Sequence, residues 1–168
     1  MMRPQLQETL LHKITDAASL KSKISMWKFQ DQKVVFTNGV FDLLHSGHIS
    51  YLNKAAALGG RLIIGLNTDN SVRRLKGPER PVNDENSRAL LLASLFFVDA
   101  VVLFDDDTPQ ALIAELMPDI LVKGADYTID KIAGASEVIA NGGEVQTIDF
   151  VDGFSSTGII QKIRGQTT

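Results

Sequence analysis

Residues 33–48 read KVVFTNGVFDLLHSGH, and the order of residue types in this stretch decides the fold. Lys33–Thr37 is a short run rich in β-branched and aromatic residues, the composition of a strand buried on both faces. It gives way at Asn38-Gly39 to a loop. A helical stretch follows near His48–Leu58 and is stopped by Gly59-Gly60. A buried strand feeding a helix through a short glycine-containing loop is the opening of a β-α-β unit.

The alternation continues outward from this stretch. Arg61–Leu66, Ala100–Phe104, Ile120–Val122 and Glu144–Ile148 read as four further strands. Helices are expected at about Asp69–Leu75, from a cap at Asn83 or Asp84 to about Phe97, from Thr108-Pro109 to Met117, from Asp130 to Asn141, and over Ser155–Ile163. Upstream, residues 4–29 read as an amphipathic helical preface with Leu6, Leu10, Ile14 and Ile24 at helical spacing. The expected architecture is α/β, a Rossmann-like three-layer α/β/α fold with a five-stranded parallel sheet. Residues 1–30 are expected to form an N-terminal helical extension and 31–168 one catalytic domain. Ligands in such sheets bind at the carboxyl ends of the strands, so functional residues are expected after Thr37, Leu66, Phe104, Val122 and Ile148.

Composition narrows the function classes. The chain has 168 residues, 44% of them hydrophobic, enough for one well-buried core. A net charge of −3, from 17 basic and 20 acidic residues, argues against nucleic acid as the main partner. With no cysteine there is no disulfide, thiolate nucleophile or cysteine-bound zinc. The first ten residues include Pro4, Gln5, Gln7 and Glu8, not the apolar core of a signal peptide. The apolar stretch Ala89–Phe104 is broken by Asp99 and falls short of the ~20 residues of a membrane span. A cytoplasmic protein without a membrane partner is expected.

In the loop, His45 and His48 stand at i and i+3 where the helix begins, a spacing that brings two imidazoles to one side. Gly47 between them gives an anion access to the backbone, and the helix start adds free N–H groups and a positive dipole end. That chemistry suits a phosphate or the charge that builds on phosphorus during transfer. A zinc ion shared by the pair would need carboxylates to complete its shell.

Three further segments fall on the same edge. Ser155-Ser156-Thr157 opens the last helix, where hydroxyls and N–H groups either bind phosphate oxygens or simply cap. The basic run Arg73-Arg74-Leu75-Lys76-Gly77-Pro78-Glu79-Arg80-Pro81 follows the second strand. As a charge run it reads as a solvated loop, yet its cations stand on the ligand side and could bind phosphates. Lys76 is the best single choice, Arg73 and Arg74 are further candidates, and Arg88 on the next helix is either another or a surface salt-bridge former. Lys123-Gly124-Ala125-Asp126-Tyr127 follows the fourth strand on the same edge, either as a glycine turn with a capping Asp126 or as part of the ligand wall.

Gly39-Val40-Phe41-Asp42 followed by His45-Ser46-Gly47-His48 resembles the HxGH signature of the nucleotidyltransferase superfamily, and Asp152–Ile160 resembles its second, serine-rich signature. Over about residues 30–165 the chain is most similar to the adenylyltransferase family that makes ADP-heptose from D-glycero-β-D-manno-heptose 1-phosphate for the lipopolysaccharide core. That resemblance implies that His45, His48 and Lys76 are catalytic. It also implies that Val40, Phe41, Asp42, Gly47, Lys123, Gly124, Asp126, Tyr127, Ser155, Ser156 and Thr157 surround the nucleotide and its phosphates. ATP is the implied co-substrate, with Mg2+ held mainly by the triphosphate; Asp42 either reaches the ion through water or only holds the loop's shape. Many relatives carry a fused sugar kinase, so a separate heptose kinase is the expected upstream partner, and a homodimer is left open. Two departures stand out. Val40 and Phe154 occupy positions where the family often has cysteine, and Phe150 replaces an arginine usual in cytidylyltransferases. The alternatives are transfer to another phosphate, such as glycerol 3-phosphate, and a nucleotide-sensing module without turnover.

Overall fold

The computed structural model describes residues 6–149 and 153–165. Its frame is a sheet of five parallel strands, β1 (Val34–Gly39), β2 (Arg61–Asn67), β3 (Ala100–Phe104), β4 (Ile120–Gly124) and β5 (Glu144–Ile148), in the order β3-β2-β1-β4-β5. The chain therefore builds outward from β1 to β3, then returns to lay β4 against the other side of β1. Val35 pairs with Leu62 on one side and Ile120 on the other. That reversal between β1 and β4 is where connections leave in opposite directions and open a crevice.

Apolar runs with no polar alternation make sense because both faces of the central strands are covered. The pleat divides them. Val34, Phe36, Ile63, Val102 and Leu121 face one core, closed by helices α2 (Ala17–Phe29), α6 (Gln110–Leu116) and α7 (Ala135–Ala140). Val35, Leu62, Ile64, Val101 and Val122 face the other, closed by α3 (Ser46–Ala56) and α5 (Glu85–Ala93). Each large apolar side chain buried this way is worth about 1.5–3 kcal/mol. The expected three-layer fold is the one observed.

The preface is not one helix. A short α1 (Leu6–Leu11) ends before Lys13, and α2 begins after Asp16, whose carboxylate accepts the Ser19 N–H at 2.8 Å. Between them Val101 donates to the Lys13 carbonyl at 2.8 Å and Thr15 donates to that of Val101 at 3.0 Å. Ile14 thereby forms a one-residue bridge beside β3, satisfying part of an open sheet edge. Helix α2 then seats Leu20, Ile24 and Trp27 in the main core.

Three helix boundaries differ from expectation for local reasons. Helix α5 is capped by Asp84 but stops at Ala93, where Ser94 turns back to donate to the Leu91 carbonyl at 2.6 Å. The Thr108 hydroxyl does not cap α6; Pro109 holds the capping position and its carbonyl accepts from Ile113 at 2.9 Å. Asp130 lies in a separate 3-10 turn, Ile129–Lys131, and α7 instead starts behind Gly134. Gly134 has φ +84, and a Cβ there would meet the Ile113 side chain at 2.8 Å, so both backbone and space call for glycine. The remaining helices, α4 (Asp69–Lys76) and α8 (Ser156–Ile163), complete the fold.

Candidate active site

A cleft of about 560 Å³ opens over the carboxyl ends of β1, β2 and β4. Its floor is Asn38 and Gly39 of β1, Asn67 of β2, and Lys123 and Gly124 of β4. The wall after β1 brings in Val40, Phe41, Asp42 and His48, with Lys76 and Arg80 above them. Asp126, Tyr127 and Lys131 form the opposite wall, and Ser156 reaches in from the start of α8.

The two histidines have different stations. His45 occupies the capping position of α3 with extended backbone, and its Nδ1 accepts the His48 N–H at 3.3 Å. The rings stack at 3.8 Å between centroids, and Phe41 meets His48 edge-on at 5.2 Å. His48 lines the cleft, while His45 lies behind it. Burial first, then the neighbouring His45 and Lys76, pushes the His48 imidazole down to about 4. It is thus neutral near pH 7 and offers one N–H donor. Gly47 has a steric reason to be glycine beyond anion access. A Cβ there would stand 3.0 Å from the Phe154 Cβ and 3.1 Å from the His45 Nδ1.

Asp42 is buried and organises the segment after α4. Its Oδ2 accepts from Arg80 Nε at 2.6 Å, and its Oδ1 from the backbone N–H groups of Val82 at 2.7 Å and Asn83 at 3.1 Å. Burial alone would raise its pKa. The Asn83 N–H, the Arg80 guanidinium and the Val82 N–H outweigh that and hold it below the ordinary value. Of the two roles open to Asp42, holding the loop's shape is therefore the one its contacts support. Among the described residues no three histidine or carboxylate side chains cluster as metal ligands. A divalent ion here would fit only as one carried by the oxygens of a bound triphosphate.

The arginines separate sharply. Arg88 has no exposed surface and lies beneath the cleft. It donates to the carbonyls of Asn83 at 3.0 Å, Val40 at 2.8 Å and Asn67 at 2.9 Å, and pairs with Asp69 at 2.7 Å. With its guanidinium engaged on four sides it is a scaffold clamp, which does not favour its candidacy for an acceptor phosphate. Arg74 is held by Asp105 and Asp107, and Arg73 by Asn70; neither lines the cleft. Arg80, not singled out in the sequence, is the arginine that does. Its advance sign was its place in the basic run that follows β2, between Pro78 and Pro81.

On the other wall Lys123 sits 5.5 Å from the centre of the Tyr127 ring. Burial pushes its ammonium down to about 8, with Asp126 pulling the other way. At α8, Ser155 spends its hydroxyl as a cap, accepting from Gly158 N–H at 2.9 Å. Ser156 donates to the Leu43 carbonyl at 3.0 Å, tying α8 to the histidine loop. Thr157 is exposed and outside the cleft. Phe150 and Asp152 lie outside the described residues. Asn38, whose buried Oδ1 has no partner among the described residues, also lines the cleft and had no distinguishing sequence signal.

A switch-point cleft with a paired-histidine helix start and flanking lysines suits nucleotidyl transfer, and comparisons with known proteins make the chain a nucleotidyltransferase. The model of the cytidylyltransferase-like family matches residues 36–162, and the chain belongs to that family. It is 56% identical over 155 residues to the bifunctional protein HldE of Mesorhizobium japonicum, covering 92% of this chain and 31% of that protein. It is 52% identical over 151 residues to that of Histophilus somni, covering 90% and 32%. The chain thus spans about a third of the length of these relatives. Among solved structures it resembles the lipopolysaccharide core biosynthesis protein of Thermoplasma volcanium, with TM-score 0.57 and 33% identity, covering 71% of this chain and 97% of that one. A pantoate-beta-alanine ligase of Francisella tularensis, at TM-score 0.56 and 16% identity, shares the fold over 90% of this chain and 76% of its own.

Proposed function

We propose that the chain transfers AMP from ATP to D-glycero-β-D-manno-heptose 1-phosphate, giving ADP-heptose and pyrophosphate for lipopolysaccharide core synthesis. One observation carries the reaction type. The cleft gathers neutral and cationic donors, His48, Lys76 and Lys123, yet among the described residues neither serine at α8 has a histidine–carboxylate partner to activate it. The likeness to HldE proteins and to a lipopolysaccharide core protein supports the acceptor.

The chemistry follows from the substrates. A phosphate monoester has a second pKa of about 6 and is mostly a dianion near pH 7, so the acceptor is already a nucleophile. One of its oxygens attacks the α-phosphorus in line; the new P–O bond forms as the bond to pyrophosphate breaks. The protein's task is alignment and charge stabilisation. His48 donates its N–H to an α-phosphate oxygen, and His45 fixes the His48 backbone through its cap. Lys76 holds phosphate oxygens, Asp126 takes a ribose hydroxyl, and Tyr127 walls the nucleoside. The N–H groups opening α8 face the β- and γ-phosphates. A Mg2+ ion held by the triphosphate oxygens would neutralise part of their charge. A heptose kinase must supply the acceptor.

The test is pyrophosphate release by the purified chain with ATP or CTP, each paired with heptose 1-phosphate or glycerol 3-phosphate. The highest kcat/KM is expected for ATP with heptose 1-phosphate. Equal use of CTP, or preference for glycerol 3-phosphate, would overturn the assignment. ATP binding with no turnover on any acceptor would make the chain a sensing module.

A further inference from the structure

Arg80 is held at one corner and unfilled elsewhere. Its side chain is only 12% exposed and its Nε is fixed on Asp42 at 2.6 Å. Its Nη2 is buried and meets no acceptor among the described residues. A buried guanidinium N–H without an acceptor is costly and calls for an explanation. The described acids around it do not supply one. Both Asp42 oxygens are taken, by Arg80 itself and by the N–H groups of Val82 and Asn83. Glu79 pairs with Arg164 at 3.3 Å, and Asp107 pairs with Arg74 at 3.0 Å. Lys76 shares the wall; burial first, then the neighbouring Arg80, lowers its ammonium pKa, with Asp42 pulling the other way. Two cations thus face one already committed carboxylate at the edge of the cleft.

We propose that Arg80 and Lys76 form a two-cation seat for a phosphate group, with Asp42 as the positioning residue that sets the angle of the Arg80 guanidinium. This rests on the reading that the cleft takes phosphorylated substrates. A planar guanidinium fixed through Nε presents its remaining N–H groups as a fork, the geometry that matches two oxygens of one phosphate. The phosphate is either the acceptor's monoester or the pyrophosphate end of the nucleotide; the chemistry is the same. The depth of the Arg80 clamp explains why Arg73 and Arg74, on the exposed side of α4, are not needed for it.

The experiment compares wild type, Arg80→Gln and Arg80→Lys by calorimetric titration with ATP and with inorganic pyrophosphate, and by the KM for heptose 1-phosphate. For Arg80→Gln we expect a loss of about 10- to 100-fold, the scale of a charge-assisted hydrogen-bond pair. If the loss falls on ATP and pyrophosphate affinity, the seat holds the nucleotide. If it falls on the acceptor KM alone, the seat holds the acceptor. Arg80→Lys keeps the charge but not the fork, and an intermediate loss is expected with wild-type melting. Adding Asp42→Asn to Arg80→Gln should lower phosphate affinity no further, because the two act as one unit; an additive loss would remove Asp42 from the positioning role. Unchanged affinities and KM in both single variants would overturn the seat. So would an Arg80→Gln protein that melts early while folded Arg80→Lys binds like wild type. Because pyrophosphate binding needs no acceptor, failure of turnover with heptose 1-phosphate would sink the acceptor assignment and leave Arg80 to be judged on its own.

Discussion

Arg88 and Arg80 leave the same stretch of chain and end in opposite situations. Beneath the cleft floor, Arg88 is surrounded by three carbonyls and the Asp69 carboxylate and has no exposed surface. On the cleft wall, Arg80 has Asp42 and an Nη2 without a partner among the described residues. The first is satisfied by the fold, tying the ends of β1 and β2 to α5. The second keeps an N–H group without an acceptor among the described residues. Residue type does not separate scaffold from site here; the supply of acceptors does.

The comparison breaks most visibly through Arg88. Arg88→Ala leaves Asp69 and three carbonyls without their buried donor, and removal of one partner of a buried pair costs about 3–5 kcal/mol. A large fall in melting temperature is expected, or failure to accumulate folded protein. Arg80→Lys should melt near wild type. If Arg88→Ala melts like Arg80→Lys, the division between clamp and site is wrong.

Next in size is His48. His48→Ala should lower kcat by about 10²–10³, the range for loss of one transition-state donor, with ATP affinity nearly unchanged. Stopped-time assays of pyrophosphate at saturating substrates decide this; near-wild-type turnover would remove His48 from the reaction. Gly47→Ala sharpens the distinction between the histidines. Its methyl presses on the His45 ring and on Phe154, and overpacking of this kind costs about 1–3 kcal/mol. We expect a lower kcat at nearly constant ATP affinity, since the strain falls on the pair and not on the opposite wall.

The smallest effect is on pH dependence. His48 is depressed to about 4 from an ordinary 6.5, so between those values the unfolded chain binds more protons than the folded one. Stability is therefore full above about pH 6.5 and declines as pH falls toward 4. Melting curves at pH 7 and pH 5 should show this decline, and His48→Gln should shrink it. A wild-type melting temperature that rises over that interval would contradict the buried neutral imidazole.

Much of this was legible in advance. Four of the five strands could be read because each is a short, largely apolar run, and β5, Glu144–Ile148, because it follows the glycine pair Gly142-Gly143. The three-layer fold follows from their alternation with helices. The histidine loop was legible because its spacing has few other uses. The N-terminal break was not, since Ile14 keeps helical spacing while its backbone pairs with Val101 far along the chain. The start of α7 was missed because Asp130 is a good cap locally, whereas the packing of Gly134 against Ile113 is a tertiary fact. The choice among arginines was hidden for the same reason: burial of Arg88 depends on carbonyls from three separate segments.

The central claim is that this cleft works by arrangement, transferring the nucleotidyl group directly between two bound substrates. The serines of α8 are committed to backbone partners. Lys123, pushed down to about 8, and the neutral His48 are the nitrogens on the cleft wall that could attack phosphorus themselves. The direct measurement is to mix the protein with magnesium and α-labelled ATP without acceptor, denature it under alkaline conditions that preserve a phosphorus–nitrogen bond, and count label on the chain. The account predicts none, with label passing to heptose 1-phosphate only when both substrates are present. Stoichiometric label on the protein that chases into product when acceptor is added would contradict it.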